Sequence, residues 1–507
     1  MLPSSWLASG VSLIFLLFGL FYVYSKFKLR YWKNRGVPSL PANFIFGNFK
    51  DAVFLRESPG NVMATLYEHS KKSQFIGFYV FHKPCLLVTH PDLLRHILIK
   101  DFDVFPNRLF GTGATRDIPA SENLFSLNNP EWKYVRSKIS PALTSGKLKK
   151  MVPLMIESAQ SMLDYINSCP TDENSFKHMK IHDTASKYAN EIISSLAFGI
   201  KTNSYEIPET KFQAMSRELF AITPRRVFDL FVIFFFPEWC DKTRTSMFGS
   251  TESFFRDVFW NSLNVREQSG QKRGDLIDSL IQLRNEEKDP RFHFDGDHLL
   301  AHSAIFFLAG QGTTTTTLAF ALWQLALNPE IQERVRHEVK EQLANHGLTL
   351  EAFQEMKYLN QIISETLRLF PPAPILDRLA MKDYKIPGSD VVIEKGTVVY
   401  VPLCGLHWDP EYFPDPMKFD PDRFSDERKS SILPMTYMPF GVGPRNCIGQ
   451  RLGMIQTLIG LALILSEYEV SLDPDNKNSV DPKALFLAPL DDIYLYLKKV
   501  DPGSKNE

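Results

Sequence analysis

The apolar residues of this chain are grouped mainly in stretches of helical length. His298–Leu327, which ends before Asn328-Pro329, and Ile448–Leu465 are long, apolar and free of proline. Such stretches predict buried helices. Shorter apolar runs occur over residues 74–89, on either side of His82-Lys83-Pro84, and predict a β-hairpin. The pattern therefore predicts a mainly α fold with a small β part.

The N-terminus has a different pattern. Residues 1–25 carry no charged side chain, and Trp6–Tyr24 is long and apolar enough to cross a bilayer as a helix. Basic residues follow at Lys26, Lys28, Arg30, Lys33 and Arg35. Because basic residues stay cytoplasmic, we expect residues 1–25 to be an uncleaved transmembrane signal-anchor with the body of the protein in the cytosol. A basic, proline-containing hinge over 26–41, one globular domain over 42–500 and a polar tail over 501–507 complete the expected organisation.

Composition excludes several classes of protein. The net charge of -1 argues against general nucleic-acid binding. The five cysteines have no CxxC spacing, which indicates a reducing compartment without disulfides. Gly111–Thr115 lacks the third glycine of a dinucleotide loop, and the chain has no Walker lysine motif. We therefore expect no nicotinamide, flavin or nucleotide site in this chain.

Residues 439–453, PFGVGPRNCIGQRLG, give one cysteine a special setting. Two glycines and a proline predict a loop ahead of Cys447, and an apolar helix begins just after it. The free N–H groups at the start of the helix, together with Arg445, are expected to lower the pKa of the thiol. A lone cysteine in an apolar sequence is otherwise a small buried hydrophobe.

The string Phe440-x-x-Gly443-x-Arg445-x-Cys447-x-Gly449 resembles the haem-ligand loop of the cytochrome P-450 monooxygenases. The resemblance implies that Cys447 is the axial thiolate ligand of haem iron, that Arg445 contacts a haem propionate, and that Phe440 packs beside the sulfur. Other motifs in family order, described next, extend the resemblance over nearly the whole chain.

Trp132 and Arg136 lie four residues apart in a predicted helix and share one face. A surface arginine beside a packing tryptophan is the simple interpretation. The resemblance implies that both hold a haem propionate, as do Arg378 and His407. Nearby lysines form a basic patch: Lys133, Lys138, Lys147, Lys149 and Lys150. This patch is either a solvated face or a docking surface for an acidic electron donor.

Ala309–Thr317, AGQGTTTTT, is a poor helix former inside the long apolar helix. The resemblance implies that Ala309 and Gly310 let the helix pass close to the porphyrin and that Thr313 holds oxygen and a protonating water. The usual acidic residue before the threonine is here Gly312. We therefore expect less tightly coupled oxygen activation, with water in the space left by Gly312.

Glu365 and Arg368 share one face of an amphipathic helix over residues 356–370. The resemblance implies a buried structural trio with Arg423, whereas an exposed pair would contribute little. Candidates for the substrate pocket are Phe105, Phe125, Phe307, Ile375, Leu376 and Phe486, although aromatic residues are more often plain core. Residues 227–237, VFDLFVIFFFP, are either core or a patch that enters the membrane.

The resemblance implies a cytochrome P-450 fold, mainly α with a small β subdomain, with a single haem-containing catalytic domain behind the anchor. The resemblance is greatest to microsomal insect enzymes that oxidise foreign and plant compounds. The implied reaction inserts one atom of O₂ into a lipophilic molecule. The implied cofactor is haem b, and electrons come from NADPH through a flavoprotein reductase, with cytochrome b5 as a second donor. The implied location is the endoplasmic reticulum membrane, with the catalytic domain on the cytoplasmic side.

Two alternatives stay open because Gly312 replaces the usual acid. One is a reductase-independent haem-thiolate isomerase or peroxide-using enzyme. The other is a haem sensor or carrier without turnover.

Overall fold

The computed structural model describes residues 4–70, 73–111, 117–206, 209–286, 292, 294–476, 480–489 and 493–500, with side chains from residue 12 onward. The expected polar tail over 501–507 and most of the glycine-containing loop 111–115 lie outside these residues. The helices are α1 Ser4–Lys28, α2 Lys50–Val53, α3 Pro59–Glu68, α4 Pro91–Arg95, α5 Ile118–Ser121, α6 Glu131–Ile139, α7 Ser145–Ser168, α8 Ile181–Ala197, α9 Lys211–Phe220, α10 Pro224–Phe235, α11 Cys240–Thr243, α12 Glu252–Ser269, α13 Leu276–Asn285, α14 Gly296–Leu327, α15 Pro329–His346, α16 Leu350–Glu355, α17 Lys357–Leu369, α18 Leu403–His407 and α19 Gln450–Glu467. The strands are β1 Phe75–Val80, β2 Lys83–Val88, β3 Phe176–Lys180, β4 Ile375–Leu379, β5 Tyr384–Lys385, β6 Val392–Ile393, β7 Val398–Pro402, β8 Tyr468–Leu472 and β9 Tyr494–Lys499.

The two long apolar stretches are helices, α14 and α19, as predicted. α14 stays helical through its threonine-rich run because packing overrides weak propensity. The hydroxyls of Thr313, Thr315 and Thr317 donate to the carbonyl groups four residues earlier, at 2.6, 2.9 and 2.7 Å. α14 runs through the larger of the two main hydrophobic clusters, between α8 and α19.

The β structure is small and lies mostly to one side of the helices. Its largest sheet has the order β1-β2-β7-β4, with β2 and β7 parallel and the other pairs antiparallel. The predicted hairpin is present, but its turn is shorter than expected, because Pro84 already pairs with Tyr79. β7 pairs with β2 only from Cys85 onward. The missing N–H of Pro84 therefore removes no hydrogen bond between β2 and β7.

A three-stranded sheet, β3-β9-β8, was not predicted. β3 pairs antiparallel with β9, from Phe176 opposite Lys498 to Lys180 opposite Tyr494. The five residues of β3 have little apolar alternation. A strand whose partner lies at the far end of the chain leaves no local signal.

Two helices within the described residues are long and apolar enough to cross a membrane, one near the N-terminus and the other α14. α14 is a buried core helix, whereas the large apolar side chains described for α1, from Leu13 onward, are exposed. α1 meets the body of the protein near its end, where Ser25 is buried and its hydroxyl lies 3.0 Å from Nε2 of His82. α1 therefore has the length, composition and exposure of a membrane anchor.

His302 is a fully buried histidine in the first part of α14. Its ring lies 6.1 Å from the ring of Phe292 and 5.6 Å from that of Phe294. Neither ring nitrogen has a hydrogen-bond partner in the described part of the chain. Burial, with a smaller effect of His298, lowers the pKa of His302 to about 3, so the folded protein holds it neutral.

We expect His302 to make the protein sensitive to acid. An unfolded histidine protonates near pH 6.5, and the folded His302 only near pH 3. Above pH 6.5 the side chain is neutral in both states and the free energy of unfolding keeps its full value. As the pH falls toward 3, the unfolded state takes up a proton that the folded state does not, so the free energy of unfolding decreases. His302→Leu should remove this loss, so its free energy of unfolding falls by about 2 kcal/mol less than that of the wild type between pH 6.5 and 4.5. Denaturant titrations at several pH values measure the difference. His337→Leu, on the exposed side of α15, is the control. Parallel profiles for all three proteins would show that His302 does not titrate abnormally.

Candidate active site around Cys447

The loop before Cys447 has a conformation that requires glycine. Gly441 and Gly443 have φ values of 67° and 73°, in the left-handed region. A Cβ atom on Gly443 would lie 2.1 Å from the carbonyl oxygen of Leu98. The Cys447 N–H donates to the Phe440 carbonyl at 2.8 Å, and α19 begins three residues later. The predicted change from loop to helix is therefore confirmed.

The Cys447 thiol lies in a mixed environment. Cys447 has exposed surface, although protein surrounds most of its sulfur. The backbone N–H of Gly449 favours the thiolate, as expected from the sequence, and the charges of Arg136 and Arg108 do so in place of the expected Arg445. Burial outweighs them and raises the pKa of the Cys447 thiol. The expectation that the protein alone lowers this pKa is wrong, and a bound metal ion would have to stabilise the thiolate.

Four arginine side chains act on one another beside this loop: Arg108, Arg136, Arg378 and Arg445. Asp377 offsets part of their charge. Burial and the neighbouring cations lower the pKa of Arg445 to about 8 and that of Arg378 to about 9. Buried cations in this excess are unfavourable unless an anion neutralises them.

Two of these arginines have unused donors. Arg445 donates from Nε to the Pro106 carbonyl at 2.9 Å and from Nη2 to the Leu127 carbonyl at 2.7 Å. Its Nη1 and the Nε of Arg378 are buried without a hydrogen-bond partner in the described protein. A ligand with two carboxylates beside the cysteine would satisfy both. The propionates of haem fit this donor set.

α6 brings Trp132 and Arg136 to this cluster, as predicted. The Arg445 guanidinium lies 4.1 Å from the centre of the buried Trp132 ring. Arg136 donates from Nη1 to the carbonyl and from Nη2 to the side-chain oxygen of Asn446, both at 3.0 Å. In this arrangement Trp132 supports Arg445, and Arg136 holds the residue that precedes Cys447.

Arg108 belongs to the cluster but was missed in the sequence. It donates to the carbonyl groups of Phe125 at 3.1 Å and Arg445 at 3.2 Å. Its guanidinium lies 4.0 Å from the centre of the Phe125 ring. These partners are distant in the chain, so no motif surrounds Arg108. The available signal was a single basic residue within the apolar segment VFPNRLF.

His407 was expected to reach a propionate, and this expectation is wrong. Its Nδ1 lies 3.2 Å from the Arg368 carbonyl, and its Nε2 accepts from the Met438 N–H at 3.2 Å. Both ring nitrogens are therefore used. Burial and the charge of Arg368 lower the pKa of His407 to about 3, which keeps it neutral. His407 connects the end of α17 to the segment that enters the cysteine loop.

The structure brings Glu365, Arg368 and Arg423 together in the core, as predicted. Arg368 forms a two-point pair with Glu365, from Nε at 2.7 Å and from Nη2 at 2.8 Å. Arg423 Nε lies 3.4 Å from the same carboxylate. Arg368 also donates to the carbonyl groups of His407 at 2.7 Å and Pro416 at 2.6 Å. The trio therefore joins α17 to three points of the chain, at His407, Pro416 and Arg423.

One face of α14 is exposed in the middle of the helix. Ala309 and Thr313 are exposed in the middle of this long helix, whereas Gln311 and Thr314 on the opposite side are buried. The side chain of Gln456, in the second turn of α19, donates to the Thr314 hydroxyl. The oxygen-side stretch expected from the sequence therefore lies on the helix next to the one that follows Cys447.

Gly310 and Gly312 have roles that differ from those expected. A Cβ atom on Gly310 would lie 2.5 Å from Cδ1 of Ile193, so this glycine lets α14 approach α8. A Cβ atom on Gly312 would lie 3.2 Å from Cε1 of Phe220. The Phe220 ring therefore lies against Gly312. Whether the missing acid reduces coupling stays a prediction.

The substrate-pocket candidates divide into two groups. Phe307 is fully buried and packs with Phe212 at 5.3 Å, and Phe105 is fully buried against Tyr384 at 5.0 Å. Both are core residues, so their assignment to the pocket is wrong. The remaining four, Phe125, Ile375, Leu376 and Phe486, keep partly or largely exposed surface.

Several of the remaining candidates lead toward the cysteine loop. Leu376 Cδ1 lies 3.8 Å from the side-chain position of Gly441. The exposed Phe486 ring contacts Phe234 at 5.5 Å, and Phe234 contacts Phe125 at 6.4 Å. These contacts form an aromatic path from the surface to the arginine cluster.

A cysteine able to ligate a metal beside a cradle for two carboxylates defines a haem-thiolate class of protein. Comparison with known proteins agrees. The family model described as "Cytochrome P450" matches residues 37–495. The chain is 40% identical over 471 residues to "Cytochrome P450 6k1" of Blattella germanica, covering 89% of this chain and 88% of that protein. It is 35% identical over 487 residues to "Probable cytochrome P450 6g2" of Drosophila melanogaster, covering 92% and 94%.

The chain belongs to the cytochrome P450 family. Its fold is the mainly α fold with small β sheets that the sequence predicted. Members of the family bind haem through a cysteine thiolate and incorporate an atom of oxygen with electrons supplied by an NADPH-dependent reductase. The protein is therefore a haem-thiolate monooxygenase, and its similarity to insect enzymes agrees with the sequence prediction.

We expect Arg378→Met to weaken haem binding without destabilising the fold. The change removes a buried cation with an unused donor, so it deletes a contact to a propionate and relieves repulsion within the cluster. Transfer of haem to an acceptor apoprotein should become about tenfold faster, while the thermal midpoint of the haem-free protein is not lowered. Arg451→Met, on the exposed start of α19, is the control. Haem loss at the wild-type rate would show that Arg378 does not hold the cofactor.

We expect Gly310→Ala to destabilise the contact between α14 and α8. The new methyl group would overlap Ile193, and overpacking of this kind costs about 1–3 kcal/mol. Ile193→Val in the same chain should recover part of the loss in denaturant unfolding. Gly146→Ala, where nothing lies within 4 Å of the new atom, is the control. If both glycine variants were equally stable, the role of Gly310 in helix packing would be refuted.

Proposed function

We propose that this haem-thiolate monooxygenase works at the endoplasmic reticulum membrane, with its catalytic domain on the cytoplasmic side, and takes lipophilic substrates from the bilayer. The observation that supports the haem site most directly is the pair of unused donors on Arg378 and Arg445 beside Cys447. Bound haem supplies the iron that binds and activates O₂. The roles of individual residues given below are part of the proposal.

Cys447 would ligate the iron, and Arg378 and Arg445 would hold the propionates. Arg108, Arg136 and Trp132 would support them through the contacts described above. On the oxygen side, Thr313 would orient a water or a proton donor. Its hydroxyl donates to the Ala309 carbonyl at 2.6 Å, so its lone pairs are available to accept a hydrogen bond from a water.

The proposed membrane side includes more than α1. Phe54, Phe228 and Trp239 are 50%, 43% and 54% exposed. Ring contacts connect this region to the β1–β2 turn: Phe46 with Phe54 at 5.1 Å, Phe46 with Phe81 at 5.8 Å, and Phe81 with Phe231 of α10 at 6.3 Å. The next residue of that turn, His82, contacts α1.

Exposed aromatic side chains grouped near an anchor favour contact with lipid. One face of α10 is core, since Val232, Ile233 and Phe235 are buried, and the other faces outward. In this proposal residues 227–237 would have both of the roles considered in the sequence. The orientation expected from the basic residues after α1 would put this surface against the cytoplasmic leaflet.

The basic patch is proposed to receive the reductase, with cytochrome b5 as a second donor. Lys133, Lys149 and Lys150 are exposed, and Lys147 is partly exposed. Lys138 contributes less charge than expected, because it pairs with Glu286 at 2.8 Å. The relatives favour the reductase-dependent monooxygenase over an isomerase, a peroxide-using enzyme or a sensor.

Two measurements test the assignment. The reduced protein with carbon monoxide should show the long-wavelength band of a thiolate-ligated haem, and reductase with NADPH should oxidise members of a panel of lipophilic compounds. A missing band would refute the cofactor site. A normal band without turnover would favour the sensor.

We expect the double variant Lys149→Glu/Lys150→Glu to lose reductase-dependent activity about fivefold at low salt, because reversed charges slow association with an acidic partner. The difference should shrink at high ionic strength. Turnover driven by added peroxide, which needs no reductase, should be unchanged. Lys340→Glu on α15 is the control for a charge reversal at another exposed site. A salt-independent loss, or an equal loss with peroxide, would contradict the docking role.

A further inference from the structure

Gly312 lies on the exposed side of α14. In the middle of this helix, exposure is greatest at Ala309 and Thr313, and Ile305 and Gly312 beside them are partly exposed. These four residues lie within about 60° of Ala309 around the helix axis. Phe307, Gln311 and Thr314 lie on the far side and are buried. The surface of Gly312 is therefore part of the same wall as the two residues expected on the oxygen side.

Phe220, the last residue of α9, covers part of that wall. From the position of a Cβ atom on Gly312, Cε1 of Phe220 is 3.2 Å away, Cδ1 3.6 Å and Cζ 3.9 Å. A side chain at residue 312 would therefore have to push the ring aside. The absence of a side chain at Gly312 and the position of Phe220 depend on each other.

The Phe220 ring is held in place by its surroundings. Its centre lies 6.3 Å from that of Phe307, and Phe307 packs against Phe212 in the first turn of α9 at 5.3 Å. A capping box of Thr210 and Gln213 fixes the start of the same helix. Phe220 itself is only partly buried, so ring surface remains available next to Gly312.

The wall offers no charged group to a ligand. Residues 299–327 include no aspartate, glutamate, lysine or arginine. Near the end of α9, Glu218 is bonded to the hydroxyl of Ser250. A ligand beside Phe220 and Gly312 thus meets an aromatic ring and a flat peptide backbone.

We propose that Phe220 is a specificity-determining residue, whose ring, seated on Gly312, selects flat aromatic portions of substrates over saturated ones of similar size. Aromatic rings stack on one another more favourably than their buried area alone predicts. A saturated ring system is thicker and gains no such stacking. The inference rests on the proposed placement of the oxygen side at Ala309 and Thr313.

Naphthalene and decahydronaphthalene form a matched pair of probes, since both have ten carbons in two fused rings. Their dissociation constants are measured by the change in the haem spectrum on binding. The wild type should bind naphthalene more tightly, and Phe220→Leu, which keeps an apolar side chain but removes the ring, should reduce this preference about three- to tenfold. Phe176→Leu, at a partly buried ring on β3 that packs against Tyr496, should leave the ratio near its wild-type value. An unchanged ratio in Phe220→Leu would overturn the proposal.

A second measurement needs no bound ligand. The effect of Gly312→Ala on the thermal midpoint should be less favourable in the wild type than in a Phe220→Leu background, because the new methyl group meets the Phe220 ring. Additive effects of the two substitutions would show that the residues do not share this space. If Phe220→Leu lowers the yield of folded protein, Phe220→Met allows both comparisons. A normal carbon monoxide band and reductase-dependent turnover in proteins that fail these tests would leave the monooxygenase assignment intact and reject only the role of Phe220.

Discussion

The burial of positive charge beside Cys447 is the constraint on which the site depends. Burial, together with neighbouring arginines, lowers the pKa of Arg445 and Arg378, and Asp377 offsets only part of the positive charge. Such an arrangement persists in a folded protein when a ligand neutralises it or when the surrounding structure compensates for its cost. Here both conditions are met in part. Carbonyl groups of Pro106 and Leu127 hold Arg445, and its unused donor is left for an anion.

The same positive charge acts on the cysteine but does not control it. Arg136 and Arg108 favour a thiolate, yet burial of the sulfur has the larger effect on its pKa. The protein therefore fixes the position of the Cys447 sulfur but does not by itself favour its thiolate form. The left-handed turns at Gly441 and Gly443 and the bond from Cys447 to Phe440 fix the sulfur before any metal binds. His407 and the trio around Glu365 then fix the chain that leads into this loop.

How much could be predicted from sequence depends on how local each contact is. The loop before Cys447, the helices α14 and α19 and the Glu365–Arg368 pair depend on residues close together in the chain, and these predictions are confirmed by the fold. Arg108 and β3 were missed because their partners lie far away in sequence. His407 was assigned wrongly for a related reason: its position matches a family pattern, but its nitrogens are used by the backbone of Arg368 and Met438.

The glycines of α14 show the limit most clearly. Gly310 and Gly312 are two residues apart in one threonine-rich run, and helix propensity treats them alike. Their meaning comes from other helices, since Ile193 of α8 meets one and Phe220 of α9 meets the other. A missing side chain in a sequence can indicate a space, a close helix contact or a seat for a ring. Only the neighbouring residue decides among these. At Gly312 that neighbour is Phe220, so the position that lacks the usual acid lies against an aromatic ring.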